Sequence, residues 1–185
     1  MVCAGIVWGP AVKYGIEMNE NFEKYVRLLY TFGLDLKDDY NHFVYDIYNE
    51  EDTPRWKVDK KVEMMKKAQE TRVKIVFFDI DTTNQYYHDR KKCNVFTNVE
   101  KMKETTRNNY MDKIDDYFFD IIFHLTDNEK ELTYTSDVIL KYLQMIEKRD
   151  GVSRKTDQWI VQCLKNRDIK RLQGDISSET EMVMA

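Results

Sequence analysis

The chain has 185 residues and a mass of 22.3 kDa, which fits one domain with a short extension. Hydrophobic residues make up 42% of the chain and charged residues 34%, a balance that argues against disorder and against a membrane protein. The formal net charge of -4 does not fit a generic nucleic-acid-binding protein, because neutralising phosphates requires a surplus of cations.

The cysteines and the N-terminal residues indicate a cytoplasmic setting. Cys3, Cys93 and Cys163 lie far apart and lack metal-ligand spacing, so neither a disulfide framework nor a zinc ribbon is expected. Residues 1–10 are apolar but have no basic segment ahead of them. We interpret them as part of a buried strand and not as a signal peptide.

The first part of the chain predicts a strand, a helix and a short second strand. Residues 2–8 form a continuous apolar run that a Gly-Pro pair stops, which is typical of a strand buried on both faces. In residues 22–32, apolar side chains recur at spacings of three and four, which predicts a helix with Gly33 at its C-terminal cap. Residues 34–36 are then the candidate second strand.

The rest of the chain alternates predicted helices and strands. Residues 57–69 and 99–107 predict helices. Residues 72–80 and 118–125 are runs of β-branched, aromatic and other apolar side chains, typical of buried strands. A last helix is expected over residues 156–172.

The order of these elements predicts a fold class and domain boundaries. We expect an α/β domain of the α+β type, a ferredoxin-like βαββαβ sandwich whose antiparallel sheet carries helices on one face. The strands over residues 2–8 and 72–80 are expected at the centre of the sheet. Residues 1–150 are expected to form the domain, residues 151–174 a C-terminal helical extension, and residues 175–185 a flexible tail.

His124 is the candidate residue for chemistry. It lies near the end of the strand predicted over residues 118–125, and Thr126 and Glu129 have the spacing of a capping box that starts a helix directly afterwards. Free N–H groups at a helix N-terminus favour a phosphate, and a neutral imidazole can act as a nucleophile towards phosphorus. Asp127 is expected nearby through the turn.

The segment around His124 resembles the active-site motif of nucleoside diphosphate kinases. Its residues His124-Leu-Thr-Asp127-Asn-Glu129 are similar to the His-Gly-Ser-Asp-Ser motif of that family, which also follows a strand and precedes a helix. Further segments resemble family motifs in the same order, over residues 2–146 in all: Gly5-Ile-Val-Trp-Gly-Pro10-Ala-Val-Lys13-Tyr-Gly15, Asn41-His42-Phe43 with Pro54-Arg55-Trp56, and Thr97-Asn98 with Thr105-Thr106-Arg107.

The resemblance implies a nucleotide-binding phosphotransferase. His124 would carry the phosphate in a phosphohistidine intermediate, and Mg²⁺ would arrive with a nucleoside di- or triphosphate such as ATP. Trp56 would supply an aromatic surface for the base. The resemblance leaves a homo-oligomer open. The phosphates would be held by Lys13, Thr97, Arg107, Asp127 and one of Arg90, Lys91 and Lys92.

Three positions depart from the family pattern. Trp8 stands where the family has a phosphate-binding lysine, Ile121 where it has an asparagine, and Thr135 where it has a glutamate. A phosphoryl transition state needs cations and donors fixed around its oxygens. A second interpretation is therefore a catalytically degenerate domain that binds nucleotides or another protein.

Another pattern indicates a different class of enzyme. Residues 76–82 end a predicted strand with Asp79 and Asp81, the spacing found in haloacid-dehalogenase-type phosphatases. In that chemistry the first aspartate attacks phosphorus and the second acts as acid and base, beside Mg²⁺. A parallel sheet of five or more strands, with Asp79 at its carboxyl edge, would support this alternative.

Overall fold

The computed structural model describes residues 1–50, 53–89, 93–118 and 121–172. The tail predicted over residues 175–185 lies outside the described residues. Six strands occur in the described part: β1 (Val2–Val7), β2 (Arg27–Asp35), β3 (Arg72–Asp79), β4 (Gln85–His88), β5 (Cys93–Phe96) and β6 (Phe123–Leu125). The α-helices there are α1 (Gly15–Phe22), α2 (Tyr40–Tyr48), α3 (Arg55–Lys67), α4 (Thr97–Tyr110), α5 (Glu129–Asp150) and α6 (Lys155–Lys165).

Four strands form one antiparallel sheet in the order β2-β3-β1-β6, while β4 and β5 form a separate hairpin. Residue Ile6 of β1 pairs with Ile75 on one side and with His124 on the other. Every residue of β1 is buried, as its unbroken apolar sequence predicts. The strand order is that of a ferredoxin-like βαββαβ fold, so the predicted fold class and the central positions of β1 and β3 are confirmed.

Helices cover both faces of the sheet, which corrects the expectation of helices on one face. Side chains alternate along β1, so that Ile6 and Trp8 enter one hydrophobic core and Cys3 and Val7 enter another. Helices α2, α3, α5 and α6 contribute to the first core, and the crossover helices α1 and α4 contribute to the second. Since β1 is apolar at every position, both of its faces need cover.

The second strand is β2, which replaces the helix predicted over residues 22–32. Helix α1 ends at Phe22, and Thr31 and Phe32 pair with Val76 and Ile75 of β3. The apolar spacing in this segment matches that of a helix by coincidence. β2 is a half-buried edge strand, and its pairing with β3 is irregular between Leu28 and Tyr30, so its side chains do not alternate clearly between apolar and polar. Tertiary pairing with β3 therefore outweighs the local pattern.

Two helix ends differ from the predictions. The cap of α5 is Asn128, whose Oδ1 accepts a hydrogen bond from the backbone N–H of Glu131 at 2.9 Å, so the helix cap lies two residues after the predicted Thr126. Helix α6 ends at Lys165, before the predicted end at residue 172, and Arg167 then adopts a left-handed φ of 61°. The side chains of Ile160 and Leu164 on α6 are buried in the first core.

The antiparallel sheet contradicts the phosphatase alternative. Asp79 ends β3, where it pairs with Val2 of β1 and with Arg27 of β2, both antiparallel. The carboxylate of Asp81 accepts hydrogen bonds from the backbone and hydroxyl of Thr83 at 2.9 Å. The two aspartates therefore lack the parallel-sheet setting that this chemistry requires. In the described part of the chain, no helix combines the length and apolar character needed to cross a bilayer.

Candidate functional site

His124 lies on β6, an edge strand of the sheet, and the residue is 9% exposed. The strand register places it beside Ile6 on the face that contains Trp8. Its ring centroid lies 5.3 Å from that of Tyr48 on α2 and 6.4 Å from that of Trp8. Two aromatic rings thus enclose the imidazole on the side of the first core.

Lys61 brings a buried ammonium group to these rings from α3. Its Nζ donates a hydrogen bond of 2.9 Å to Oη of Tyr48 and lies 4.4 Å from the centroid of the Tyr48 ring. The residue is only 6% exposed. A lysine is almost never buried to this extent without specific partners, and the phenol and its ring hold the ammonium in place.

Helix α4 adds two further cations beside β6. The ammonium of Lys103 forms an ion pair with Asp127, which follows β6, and lies 3.5 Å from Oε1 of Glu100. Arg107 is one helical turn further along α4, and its Nε is buried. Helix α4 packs on the opposite face of the sheet from α3, and β6 is the edge strand between them. The charges of Lys103 and Arg107 nevertheless act on His124.

The surroundings keep the imidazole of His124 neutral. Burial is the largest cause and lowers the pKa of His124 to about 3. The positive charges of Lys61, Lys103 and Arg107 lower this pKa as well, whereas the carboxylate of Asp127 raises it. At neutral pH the ring therefore carries one proton, with one nitrogen able to donate a hydrogen bond and the other able to accept one.

Side chains of the chain itself cap the N-terminus of α5. Glu131 accepts a hydrogen bond of 2.7 Å from the backbone N–H of Asp127, and its own N–H donates to Asn128. The backbone N–H of Thr126 donates to the carbonyl of Ala4 at 3.0 Å. These three N–H groups are thus already used, which removes part of the reason for expecting a phosphate at this helix end.

The residues predicted from the sequence lie in several places. Arg107 and Asp127 lie close enough to His124 to affect its charge. Trp56 is 61% exposed in the first turn of α3. Thr97 begins α4, and its Cα lies about 15 Å along the helix axis from that of Arg107, from the helical rise per residue. Arg90, Lys91 and Lys92 lie outside the described residues.

Lys13 lines a cleft beside the end of β1. This cleft has a volume of about 330 Å³ and is lined by Gly9, Lys13, Lys67, Lys113, Asp116 and Ile121, among others. Lys67 forms an ion pair of 3.0 Å with Asp116 across the cleft. Lys13 itself is exposed, with its Nζ 5.0 Å from the ring centroid of Tyr14. Its chemistry is therefore that of a solvated cation.

Lys61 and Lys103 were not among the predicted site residues, although the sequence carries a signal for both. Lys61 falls on the stripe of α3 that also carries Val58 and Val62, where a core-facing helix has apolar residues. Lys103 falls one turn after Val99 on α4 in the same way. A lysine inside an apolar stripe indicates a buried charge with a partner or a function, and both lysines are buried.

We call Trp8, Tyr48, Lys61, Lys103, Arg107, His124 and Asp127 the His124 cluster. Its donors suit an anion, because ammonium and guanidinium groups form charge-assisted hydrogen bonds with phosphate or carboxylate oxygens. Within residues 1–50, 53–89, 93–118 and 121–172, no three His, Cys, Asp or Glu side chains are grouped to hold a metal ion.

Comparisons with known proteins give a remote likeness in structure. No family model matches the chain, and no curated protein matches it. Among solved structures, the chain is similar to a nucleoside diphosphate kinase family protein from Babesia bovis, with 12% identity and a TM-score of 0.41. The match covers 74% of this chain and 86% of that chain. At this identity and TM-score the resemblance is remote.

Proposed function

We propose that the chain binds a nucleoside di- or triphosphate, or a related phosphate compound, at the His124 cluster. The observation that carries the proposal is the set of contacts around the buried His124: Lys61 bonds to Tyr48, whose ring meets the imidazole, and Lys103 pairs with Asp127, three residues after His124. The positive charges of Lys61, Lys103 and Arg107 all lower the pKa of this ring. Phosphate oxygens are strong acceptors for such groups. The resemblance of the segments around His124 and Arg107 to nucleoside diphosphate kinase motifs indicates the same ligand class.

The arrangement of charges supports an anionic ligand over a neutral one. Two carboxylates, those of Asp127 and Glu100, both lie at the ammonium of Lys103. Lys61, Lys103 and Arg107 place three positive charges around His124, against the one negative charge of Asp127 that acts on the same ring. Phosphate oxygens accept charge-assisted hydrogen bonds from such cations.

The remaining parts of the nucleotide have candidate positions. The exposed indole of Trp56 offers a flat surface on which a base can stack. We propose that Mg²⁺ arrives with the nucleotide, held by its phosphate oxygens, as is usual for this ion. The carboxylate of Asp127 is the acidic group of the cluster that could contact water bound to that Mg²⁺.

Equilibrium binding tests the proposal. Isothermal titration calorimetry with the Mg²⁺ complexes of the common nucleoside di- and triphosphates should detect saturable binding. A ligand at one hundred times its Kd should raise the free energy of unfolding by about 2.7 kcal/mol. Arg107→Met should weaken binding, whereas Lys101→Met, on an exposed position of the same helix, should leave it unchanged. Absence of binding to every nucleotide and to inorganic phosphate would refute the proposal.

Phosphoryl transfer through His124 is a second candidate function, favoured by the neutral state of the imidazole. A ring nitrogen would attack the γ-phosphorus, forming a P–N bond as the bond to the β-phosphate oxygen breaks and the nucleoside diphosphate leaves. The phosphoryl group would then pass to a second diphosphate. Since Trp8 and Tyr48 are buried against the ring, this attack requires them to move, and we expect transfer to be slow.

Labelling separates the two candidates. Incubation with a γ-labelled nucleotide should leave an acid-labile, base-stable label that His124→Gln abolishes if transfer occurs. Nucleotide binding without any label, over hours and with several nucleotides, would establish a binding-only protein. Label that persists in the His124→Gln variant would exclude His124 as the acceptor.

A further inference from the structure

Lys74 is a lysine in the middle of β3 whose side chain reaches helix α1. The flanking residues Val73 and Ile75 enter the first core, so the alternation of the strand places Lys74 on the face of the second core. Its Nζ donates hydrogen bonds of 2.6 Å to the carbonyl of Gly15 and of 2.8 Å to Oδ1 of Asn19. The residue is partly buried and lies outside the His124 cluster.

The surroundings of this amine are neutral. Across the sheet, Lys74 pairs with Val7 and Gly33, which carry no charge. On α1, Glu17 and Glu20 lie at exposed positions, and no carboxylate of the described residues forms an ion pair with Lys74. Other lysines in the described part do pair with carboxylates: Lys37, Lys60, Lys67, Lys103, Lys113, Lys130, Lys141 and Lys165.

Two neutral acceptors suit the uncharged form of Lys74. A neutral amine has two N–H groups and one lone pair, so the Gly15 carbonyl and the Asn19 amide use both donors and leave the lone pair available. An ammonium group has a third N–H, which needs a further partner. Burial acts in the same direction and lowers the pKa of Lys74. A lysine amine in such a setting is a nucleophile towards activated carbonyl groups.

Acylation of Lys74 would change its attachment to α1. The amide that forms has a single N–H, so it can donate to the Gly15 carbonyl or to Asn19 but not to both. The lysine stem already passes close to Gly15, where an alanine Cβ would lie 3.0 Å from Cδ of Lys74. The acylated side chain therefore loses at least one of the two hydrogen bonds that join β3 to α1.

We propose that Lys74 is a modification site at which activated acyl compounds acylate this chain, and that acylation loosens helix α1. The donor is a thioester or an acyl phosphate, which share an activated carbonyl carbon. The Lys74 nitrogen attacks this carbon and a C–N bond forms. The bond from the carbon to sulfur or to the phosphate oxygen breaks, the thiolate or phosphate leaves, and the amine loses a proton to water. The inference is independent of the proposed function.

Site-resolved acylation of the folded chain tests the proposal. Limiting acetyl phosphate is applied at pH 7 in one arm and acetyl coenzyme A in another. The protein is then unfolded, and the remaining amines are acetylated with an isotopically heavy reagent before mass spectrometry. Lys74 should react about 3- to 10-fold faster than Lys13, an exposed lysine that forms no ion pair among the described residues.

The outcomes of this experiment decide the first half of the proposal. A preference for Lys74 in either arm supports it and identifies the class of donor. Equal or slower labelling of Lys74 in both arms overturns it. The same labelling in urea, above the unfolding transition, is the control. A preference that persists there would also overturn the proposal, because the local sequence and not the folded surroundings would then cause it.

Asn19→Asp tests whether the neutral surroundings cause the reactivity. It places a carboxylate where the amide oxygen lies 2.8 Å from Nζ of Lys74, which stabilises the ammonium form and should slow acylation about 3- to 10-fold. Asn21→Asp is the matched control, since it adds the same charge to α1 beside Lys24 and Tyr110, and it should leave the rate unchanged. Circular dichroism checks that both variants fold. An unchanged rate in Asn19→Asp would refute the proposal.

Hydrogen exchange tests the effect on α1. Lys74→Gln imitates the acylated residue in lacking the charge, and its shorter side chain gives up the contact with α1. Exchange of the α1 amides should become faster both in this variant and in wild type acylated at Lys74, whereas the amides of β1 keep their protection. Lys24→Gln, at an exposed position after α1, is the control. Unchanged exchange of the α1 amides in the acylated wild type would overturn the second half of the proposal.

Discussion

Lys103 and Asp127 form an ion pair that ties helix α4 to the segment following β6. Their side chains are 6% and 22% exposed, so the pair is largely shielded from water. It joins helix α4 to the edge strand that carries His124, and its two charges shift the pKa of His124 in opposite directions. The environment of His124 therefore depends on contacts between elements far apart in the sequence.

Breaking this ion pair should destabilise the fold. Asp127→Asn leaves the buried ammonium of Lys103 without its main counter-charge, and we expect the free energy of unfolding to fall by about 3 kcal/mol. Urea denaturation at pH 7 measures the change. Glu100→Gln is the control, since Glu100 lies further from Lys103, at 3.5 Å, and should cost less. Equal losses in the two variants would show that Asp127 is not the principal partner.

The buried His124 should make stability depend on pH. Its folded-state pKa of about 3 lies below the ordinary value of 6.5, so the unfolded chain binds the proton more readily. The stability is present above pH 6.5 and is lost as the pH falls towards 3. Linkage gives a loss of about 2 kcal/mol from this group between pH 7 and pH 5.

Urea denaturation of the wild type and His124→Gln between pH 7.5 and pH 4.5 measures this contribution. The glutamine variant should show a shallower decline in the free energy of unfolding, since it lacks the titrating ring. The imidazole resonances of His124 should remain those of the neutral form down to pH 5. A midpoint near pH 6.5 in the folded protein would show that the ring is solvated.

The parts of the fold that the sequence predicts are those governed by burial. Strands β1 and β3 are continuous apolar runs, and their central positions follow because only a central strand is covered on both faces. Strand β2 could not be identified from its pattern, since an edge strand with half-buried side chains and an irregular register shows no clear alternation. Its structure is decided by pairing with β3.

The candidate site was only partly predictable for a similar reason. His124 stands out because a polar ring interrupts an apolar strand, whereas the position of Lys61 beside Tyr48 depends on how α3 packs against α2. Motif order does not give the distance between Thr97 and Arg107, which the length of α4 sets, and Thr97 stays a predicted site residue. The order of motifs gives the positions of residues along the chain. The distances between those residues in the folded protein depend on the lengths of the helices and strands that separate them.

Gly9 should be intolerant of substitution. An alanine Cβ at this position would lie 2.5 Å from the carbonyl oxygen of Glu70 and 2.9 Å from Oη of Tyr40, which accepts a hydrogen bond from the N–H of Gly9. We expect Gly9→Ala to lower the free energy of unfolding by about 1–3 kcal/mol. Gly33→Ala on β2 is the control, since the nearest atom is 3.9 Å away. Urea denaturation should separate the two variants, and similar losses would contradict the close approach at Gly9.

Asp157 should anchor helix α6 to the edge strand β2. Its carboxylate accepts a hydrogen bond of 2.7 Å from Oη of Tyr30 on β2. It also forms an ion pair of 2.9 Å with Arg154, and Arg154 in turn donates a hydrogen bond of 2.8 Å to the carbonyl of Gly33 on β2. Burial, together with the bond to Asp157, raises the pKa of Tyr30 to about 12. Asp157→Ala should therefore accelerate hydrogen exchange of the α6 amides while the central strands keep their protection, because the anchor acts at the start of this helix. Lys155→Ala, at an exposed position in the same turn, serves as the control. Unchanged exchange in Asp157→Ala would show that the apolar contacts of α6 hold it without this anchor.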